Sequence, residues 1–307
     1  MYSKEQIKND LQNLGISRGD MLFVRISYRA IGKVEGGPKT VIDAILEVIG
    51  EDGTLLATAF PQRIRSYSKW LHRNHVYRQG MKASTGAIPT VMASYPQARY
   101  SSNPISPYVA IGKYAEYLTS KHTPESESYD IVKQMIEHFN PKCLRIGGNV
   151  LDGTAHLAFS DGLRSNGYYQ RRLPEGMYYM DGETKKWKER TVSAFCYEGF
   201  RKFFTENISN NPDAVLSEGK IGDGVAVVTS MRNTLKIERE LITPRPSILM
   251  CTSPKCLMCR LSYSYSDTSI PVYLWKSIPR YFSKGWKHEL GAIRTIFNAS
   301  LFGKKCI

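Results

Sequence analysis

A chain of 307 residues is long enough to bury a sizeable core, as one large domain or two small ones. Its 42% hydrophobic share and scattered charges describe a globular protein, and no run of about 18 apolar residues predicts a transmembrane helix. Met1–Gln6 has no apolar signal core, so a cytoplasmic location with reduced cysteines is the expectation. The net charge of +14 favours anionic partners, but no helix-turn-helix, zinc-finger or basic-aromatic RNA-binding pattern is present, which sets nucleic acid aside.

In chain order, Ser3 and Gln6 stand in capping-box positions ahead of a helical stripe of Ile7, Leu11 and Leu14, with Gly15 as the stop. Met21–Val24 is a short apolar run that reads as a buried strand. A loop with Gly32, Gly36 and Gly37 follows. Pro38 then sits where a first helical turn tolerates proline, because its missing N–H would be unpaired there anyway. Val41, Ile42, Ile45, Leu46 and Ile49 recur at helical spacing up to Gly50. Glycines let a backbone approach a ligand closely, and a helix start offers free N–H groups and a positive dipole end. The loop therefore suits an anionic ligand such as a diphosphate, or is a plain turn; it matches neither the P-loop nor the dinucleotide fingerprint. Thr54–Phe60 reads as a second strand closed by Pro61. This strand–helix–strand order argues for a layered α/β domain.

No acid occurs between Asp52 and Glu116, whereas Arg63, Arg65, Lys69, Arg73, Arg78, Lys82, Arg99 and Lys113 all fall there. The stretch reads as a cationic mouth for a phosphate-rich ligand or as a plain basic surface. Residues 62–83 lack periodicity and read as a long surface excursion. Ser84 and Thr85 head a capped helix start. Asp130–Ile136 is an amphipathic helix, Lys142–Gly148 a strand running into a glycine turn, and Met180–Thr184 a hairpin turn. Phe200, Phe203 and Phe204 line one side of a further helix.

Among the six histidines, His156 alone stands in a small-residue turn after a strand and glycines. Histidine titrates near working pH, so His156 is the candidate general base, set against a satisfied structural histidine. Cys251-x4-Cys256-x2-Cys259 has part of a cluster-ligand spacing that Cys306 would complete, or the trio binds zinc; thiols without metal are the expectation. From about residue 261, lysines and arginines interleave with Trp275, Tyr281, Phe282, Trp286, Phe297 and Phe302. Such a tail suits an anionic membrane surface, or packing against the body of the protein or a partner. The expected division is a domain over 1–260 and a basic amphipathic extension over 261–307.

In Arg29, Gly32, Val34, Glu35, Gly36, Gly37, Pro38, Thr40 and Val41, the Ser27–Val41 stretch resembles the signature loop of the aminoglycoside 3-N-acetyltransferase family. That loop reads Ser-Leu-Arg-x-x-Gly-x-Val-x-Gly-Gly-Pro-x-Thr-Val and holds coenzyme A. The likeness continues through Arg99–Gly112, Leu151–Ala158, Gly219–Asp223 and Ser247–Cys251, over roughly residues 3 to 252. It implies an α/β/α layered sheet domain of that type, acetyl-CoA as co-substrate, no resident metal and a small-molecule amine acceptor. The implied cofactor contacts are Ser27, Tyr28, Arg29, Lys33, Val34, Gly36, Gly37, Ser84 and Thr85. His156 falls at the family's base, and the downstream acid aligns with Glu198.

Two positions depart from the pattern. The histidine of the family's Arg-Ser-x-His-Pro segment is Asn103 here, an amide that hydrogen-bonds but does not take up a proton at pH 7. The glutamate three residues past the base is Phe159, leaving Asp161 as the nearby acid. Asn103 and Asp161 are therefore the candidate acceptor contacts. With the basic surface, these changes point away from a polycationic antibiotic and towards a neutral or phosphate-bearing amino sugar, such as a nucleotide-linked sugar of polysaccharide assembly. An aminoglycoside N-acetyltransferase and an inactive CoA- or anion-binding relative are the alternatives.

Overall fold

The computed structural model describes residues 1–148, 153–167, 175–190 and 197–253, together with Cys256 and Cys259. The expected extension over 261–307, Cys306, and Leu151–Asp152 of the histidine motif lie outside the described residues.

The chain opens with α1 (Lys4–Asn13), whose Ser3 and Gln6 exchange both bonds of the capping box. Strand β1 (Met21–Ile26), the short helix α2 (Tyr28–Ile31), α3 (Pro38–Ile49) and β2 (Thr54–Thr58) follow. Next come β3 (Ile64–Arg65), a 3₁₀ helix over Ser66–His72, α4 (Ala87–Met92), β4 (Arg99–Tyr100), β5 (Tyr108–Gly112) and α5 (Ala115–Ser120). Then run α6 (Asp130–His138), β6 (Lys142–Ile146), α7 (Thr154–Ser165), β7 (Glu175–Asp181) and β8 (Thr184–Glu189). The described chain closes with α8 (Tyr197–Asn207), β9 (Val215–Ile221), β10 (Gly224–Ser230), α9 (Met231–Ile242) and a 3₁₀ turn over Pro246–Leu249.

Seven strands form a mixed sheet in the order β4-β5-β2-β1-β6-β10-β9. Only β2, β1 and β6 are mutually parallel, in the registers Val24↔Ala57 and Ile26↔Ile146. Alternation along β1 sends Leu22, Val24 and Ile26 to one apolar cluster and Met21 and Phe23 to another. The first cluster is sealed by α1 and α3 through Ile7, Leu11, Val41, Ile42 and Ile45. The second is sealed by α6, α7, α8 and α9 through Ile131, Met135, Phe159, Phe200 and Leu235. A sheet buried on both faces explains why β1 and β2 read as continuous apolar runs rather than as alternating ones.

The stretch 62–83 is not the structureless excursion that its composition suggests. Within it β3 pairs antiparallel with β7, extending the β7–β8 hairpin to a second, three-stranded sheet. Ile64 packs there with Ile105 and Met177. No local period signals this, because a two-residue strand whose partner lies over a hundred positions away leaves none.

Candidate active site

Three loops leave the sheet at the carboxyl ends of the three parallel strands, the edge where α/β sheets bind ligands. From β1 comes the glycine loop of Ser27–Gly37, from β2 the segment reaching Ser84 and Thr85, and from β6 Gly147 and Gly148, ahead of α7 and His156 in the chain. The first and third meet directly, since the Ser27 N–H donates to the Ile146 carbonyl at 2.9 Å. Gly147 sits at φ +66°, and a Cβ there would overlap that of Ala30. A side chain at this position would push the two loops apart.

The glycine loop is held from behind. Tyr2 N–H donates to the Lys33 carbonyl at 2.7 Å, Glu35 N–H to the Tyr2 carbonyl at 3.0 Å, and Asp223 N–H to the Ile31 carbonyl at 3.0 Å. Gly36 and Gly37 have φ of +71° and +73°, which turns the chain sharply into Pro38 at the start of α3. The Arg29 and Lys33 cations stand exposed, Ser27 and Tyr28 are half-buried, and the Val34 side chain turns into the core. An exposed cationic turn with a backbone pinned at several points fits a diphosphate-bearing ligand.

Ser84 and Thr85 are not helix caps, because Gly86 occupies the N-cap of α4. Their hydroxyls donate instead to the carbonyls of Phe60 (2.9 Å) and Thr58 (2.6 Å), fastening this segment to the end of β2. Thr58 also accepts from Arg25 of β1.

His156 lies in the first turn of α7 rather than in a loop, with Gly153 as the N-cap. Its ring is 4% exposed. Phe200 stacks on the ring with centroids 4.9 Å apart and planes 10° apart, and Tyr129 packs against it at 4.5 Å with its plane tilted by 48°. A narrow cleft is lined by His156 together with Ser128, Tyr129, Asp130, Leu157 and Ser160. Burial holds the imidazole pKa well below the usual histidine range, and the guanidiniums of Arg190, Arg25 and Arg63 push it the same way. The ring is therefore neutral at pH 7. Arg190 donates to the Tyr129 hydroxyl at 3.0 Å, and Arg63 is anchored by Glu175 at 3.1 Å.

The remaining site residues named from the sequence lie elsewhere. Asn103 is 1% exposed, and its amide is saturated by backbone: it donates to the carbonyls of Thr123 and Ser126 and accepts from the N–H groups of Ile105 and Ser106. It is a loop fastener, and its side chain has no atom to offer an acceptor. Asp161 is clamped by Arg164 at 2.8 Å and Arg239 at 3.0 Å. Five helix positions after His156, it faces α9, not the cleft. Phe159 is buried in the core. Glu198 is exposed and ion-paired with Arg201 one turn on, while Phe200 is the member of α8 that meets the imidazole. Arg25, Tyr129 and Arg190 were not named from the sequence. Arg25 had a signal, as the one cation in the apolar run Met21–Ile26; the other two had none.

A family model described as aminoglycoside 3-N-acetyltransferase matches residues 23–243. Among curated proteins, the chain is 31% identical over 135 residues to aminoglycoside N(3)-acetyltransferase III of a Salmonella species, across 40% of this chain and 47% of that protein. It is 27% identical over 139 residues to the SPbeta prophage-derived aminoglycoside N(3')-acetyltransferase-like protein YokD of Bacillus subtilis, across 40% and 51% of the two chains. The matches thus span about half the length of these curated relatives. Solved structures share the fold over more of the chain. The YokD structure from Bacillus subtilis superposes with a TM-score of 0.67 at 20% identity, covering 79% of this chain and 99% of that one. AAC-IIIb in its binary complex with CoASH gives 0.67 at 20% identity, covering 80% and 97%.

Proposed function

The chain belongs to the aminoglycoside 3-N-acetyltransferase family, and from that premise we propose that it transfers an acetyl group from acetyl-CoA to the amine of an amino sugar. The observation that carries the reading is that the pinned glycine turn after β1 meets the end of β6, the strand that precedes the His156 helix, at one sheet edge, through the Ser27–Ile146 hydrogen bond and the close approach of Gly147 to Ala30. Backbone N–H groups at the start of α3, with Arg29 and Lys33, receive the diphosphate of the co-substrate. His156, neutral at working pH, takes the proton of the acceptor amine as the nitrogen attacks the thioester carbonyl; the C–S bond then breaks, and coenzyme A leaves as the thiol with that proton. The half-buried Ser27 hydroxyl is the donor offered to the oxyanion, since the Ser84 hydroxyl and N–H are both given to the Phe60 carbonyl. Glu198 has no part in this scheme.

Two acceptor classes divide the reading. The names of the curated relatives favour an aminoglycoside. The guanidiniums of Arg25, Arg63 and Arg190 favour an amino sugar that carries a phosphate. A proton arriving on His156 meets the charges of Arg190 and Arg25, with that of Arg63 offset by Glu175, and an anionic substrate group beside them lowers that cost.

Acetyl-CoA turnover on a panel containing kanamycin and a nucleotide-linked amino sugar tests both points. For His156→Gln, kcat is expected to fall by about 10²–10⁴, with CoA binding retained by calorimetry. Full activity in that variant rejects the base. A preference for kanamycin rejects the anionic acceptor, and CoA binding without turnover on any amine leaves only an inactive relative.

A further inference from the structure

The Sγ atoms of Cys251, Cys256 and Cys259 all lie within 4.8 Å of one another. Cys251 and Cys259 are buried and Cys256 is half-buried. The place is fixed by the core. The 3₁₀ turn over Pro246–Leu249 packs on α7, α8 and α9, and Gly199 of α8 is bare where a Cβ would overlap the Leu249 carbonyl and come within 3.2 Å of the Cys251 nitrogen. Cys256 N–H donates to the Ser253 carbonyl at 3.2 Å. Cys251 N–H donates to the Cys259 sulfur at 3.4 Å. Such N–H···S bonds stabilise the thiolate form and orient a sulfur ligand.

From this cluster we propose a structural zinc site, independent of the acetyl-transfer reading, with these three thiolates as ligands. Zinc–sulfur bonds of about 2.3 Å in a tetrahedron set the sulfurs roughly 3.8 Å apart, within the span seen here. An iron–sulfur cube binds each cysteine to a different iron and spreads the thiolates more widely, so the packing favours a single ion. Both gaps fall within the two- to four-residue cysteine spacing of structural zinc sites, and soft thiolates select zinc over harder cations. On binding, each thiol gives up its proton to solvent and the sulfur lone pair forms the metal bond; nothing is oxidised or reduced. The ion would staple the chain leaving α9 to the α8 end of the core.

The full-length chain, purified without a metal-affinity tag in reducing buffer, is assayed by elemental analysis. About one zinc per chain is expected, falling at least about tenfold in Cys256→Ser and Cys259→Ser. Because loss of the fold would lower the zinc content in the same way, the unmodified chain is also stripped with a chelator and refilled with cobalt(II). Sulfur-to-cobalt charge-transfer absorption with intense tetrahedral visible bands is the expected signature. Background zinc in the unmodified chain with no such absorption overturns the proposal. So does iron with acid-labile sulfide, or a disulfide among the three under the same reducing conditions.

Discussion

Asn103→Ala separates a loop fastener from a substrate contact. The amide makes four hydrogen bonds to backbone, two as donor at 3.0 Å and two as acceptor at 3.1 Å. Thr123 and Ser126 are half-exposed, so water can replace the lost donor at their carbonyls. Ile105 and Ser106 are 1% and 0% exposed, and their N–H groups are left as buried orphans. At about 1–3 kcal/mol for each orphaned donor and a few tenths for each rehydrated carbonyl, the variant should lose about 4 kcal/mol of stability. With an m-value of about 3 kcal/mol/M in urea, the midpoint should fall by roughly 1 M. Asn103→Asp should lose more, because it sets a carboxylate against two carbonyl oxygens. The assay is urea unfolding by tryptophan fluorescence, with the acceptor KM measured on the folded fraction. A midpoint shift under about 0.3 M, or a raised KM at unchanged stability, would refute the reasoning and return Asn103 to the acceptor subsite.

Two further outcomes follow from the same geometry. Burial lowers the His122 pKa to about 4, opposed by its hydrogen bond to the Glu127 carbonyl, and burial lowers that of His156 as well. The unfolded chain therefore binds more protons below the ordinary histidine pKa of about 6.5, so stability is complete above that pH and is lost as pH falls. His122 alone should cost about 2 kcal/mol between pH 7 and pH 5, and urea midpoints that stay level over that interval would contradict it. Gly147→Ala combines a strained φ of +66° with an overlap on Ala30, and should cost about 2–4 kcal/mol and weaken CoA binding. Adding Ala30→Gly should restore the steric part; calorimetric CoA titration of the single and double variants reads this, and an unchanged affinity in Gly147→Ala would defeat it.

Local chemistry carried much of the fold into the sequence. The Ser3 and Gln6 cap, the Gly37-Pro38 helix start, the apolar runs of β1, β2 and β6 and the turn at Asp181-Gly182-Glu183 each depend on residues within a few positions of one another. The glycine turn between β1 and α3 was legible too, from its Gly-Gly-Pro motif, whereas the helical setting of His156 was not. Contacts between distant segments decided the rest. Ser84 and Thr85 look like caps until β2 supplies the carbonyls that hold them, and Asn103 looks like a ligand until four backbone groups surround it. The guanidiniums that press on His156 come from positions 25, 63 and 190, a juxtaposition made by the parallel pairing of β1 with β6 and by the second sheet. Spacing along a chain specifies helices, strands and turns because those are short-range choices of φ and ψ. The surroundings of a side chain are set by which strands pair, and only the folded sheet determines that.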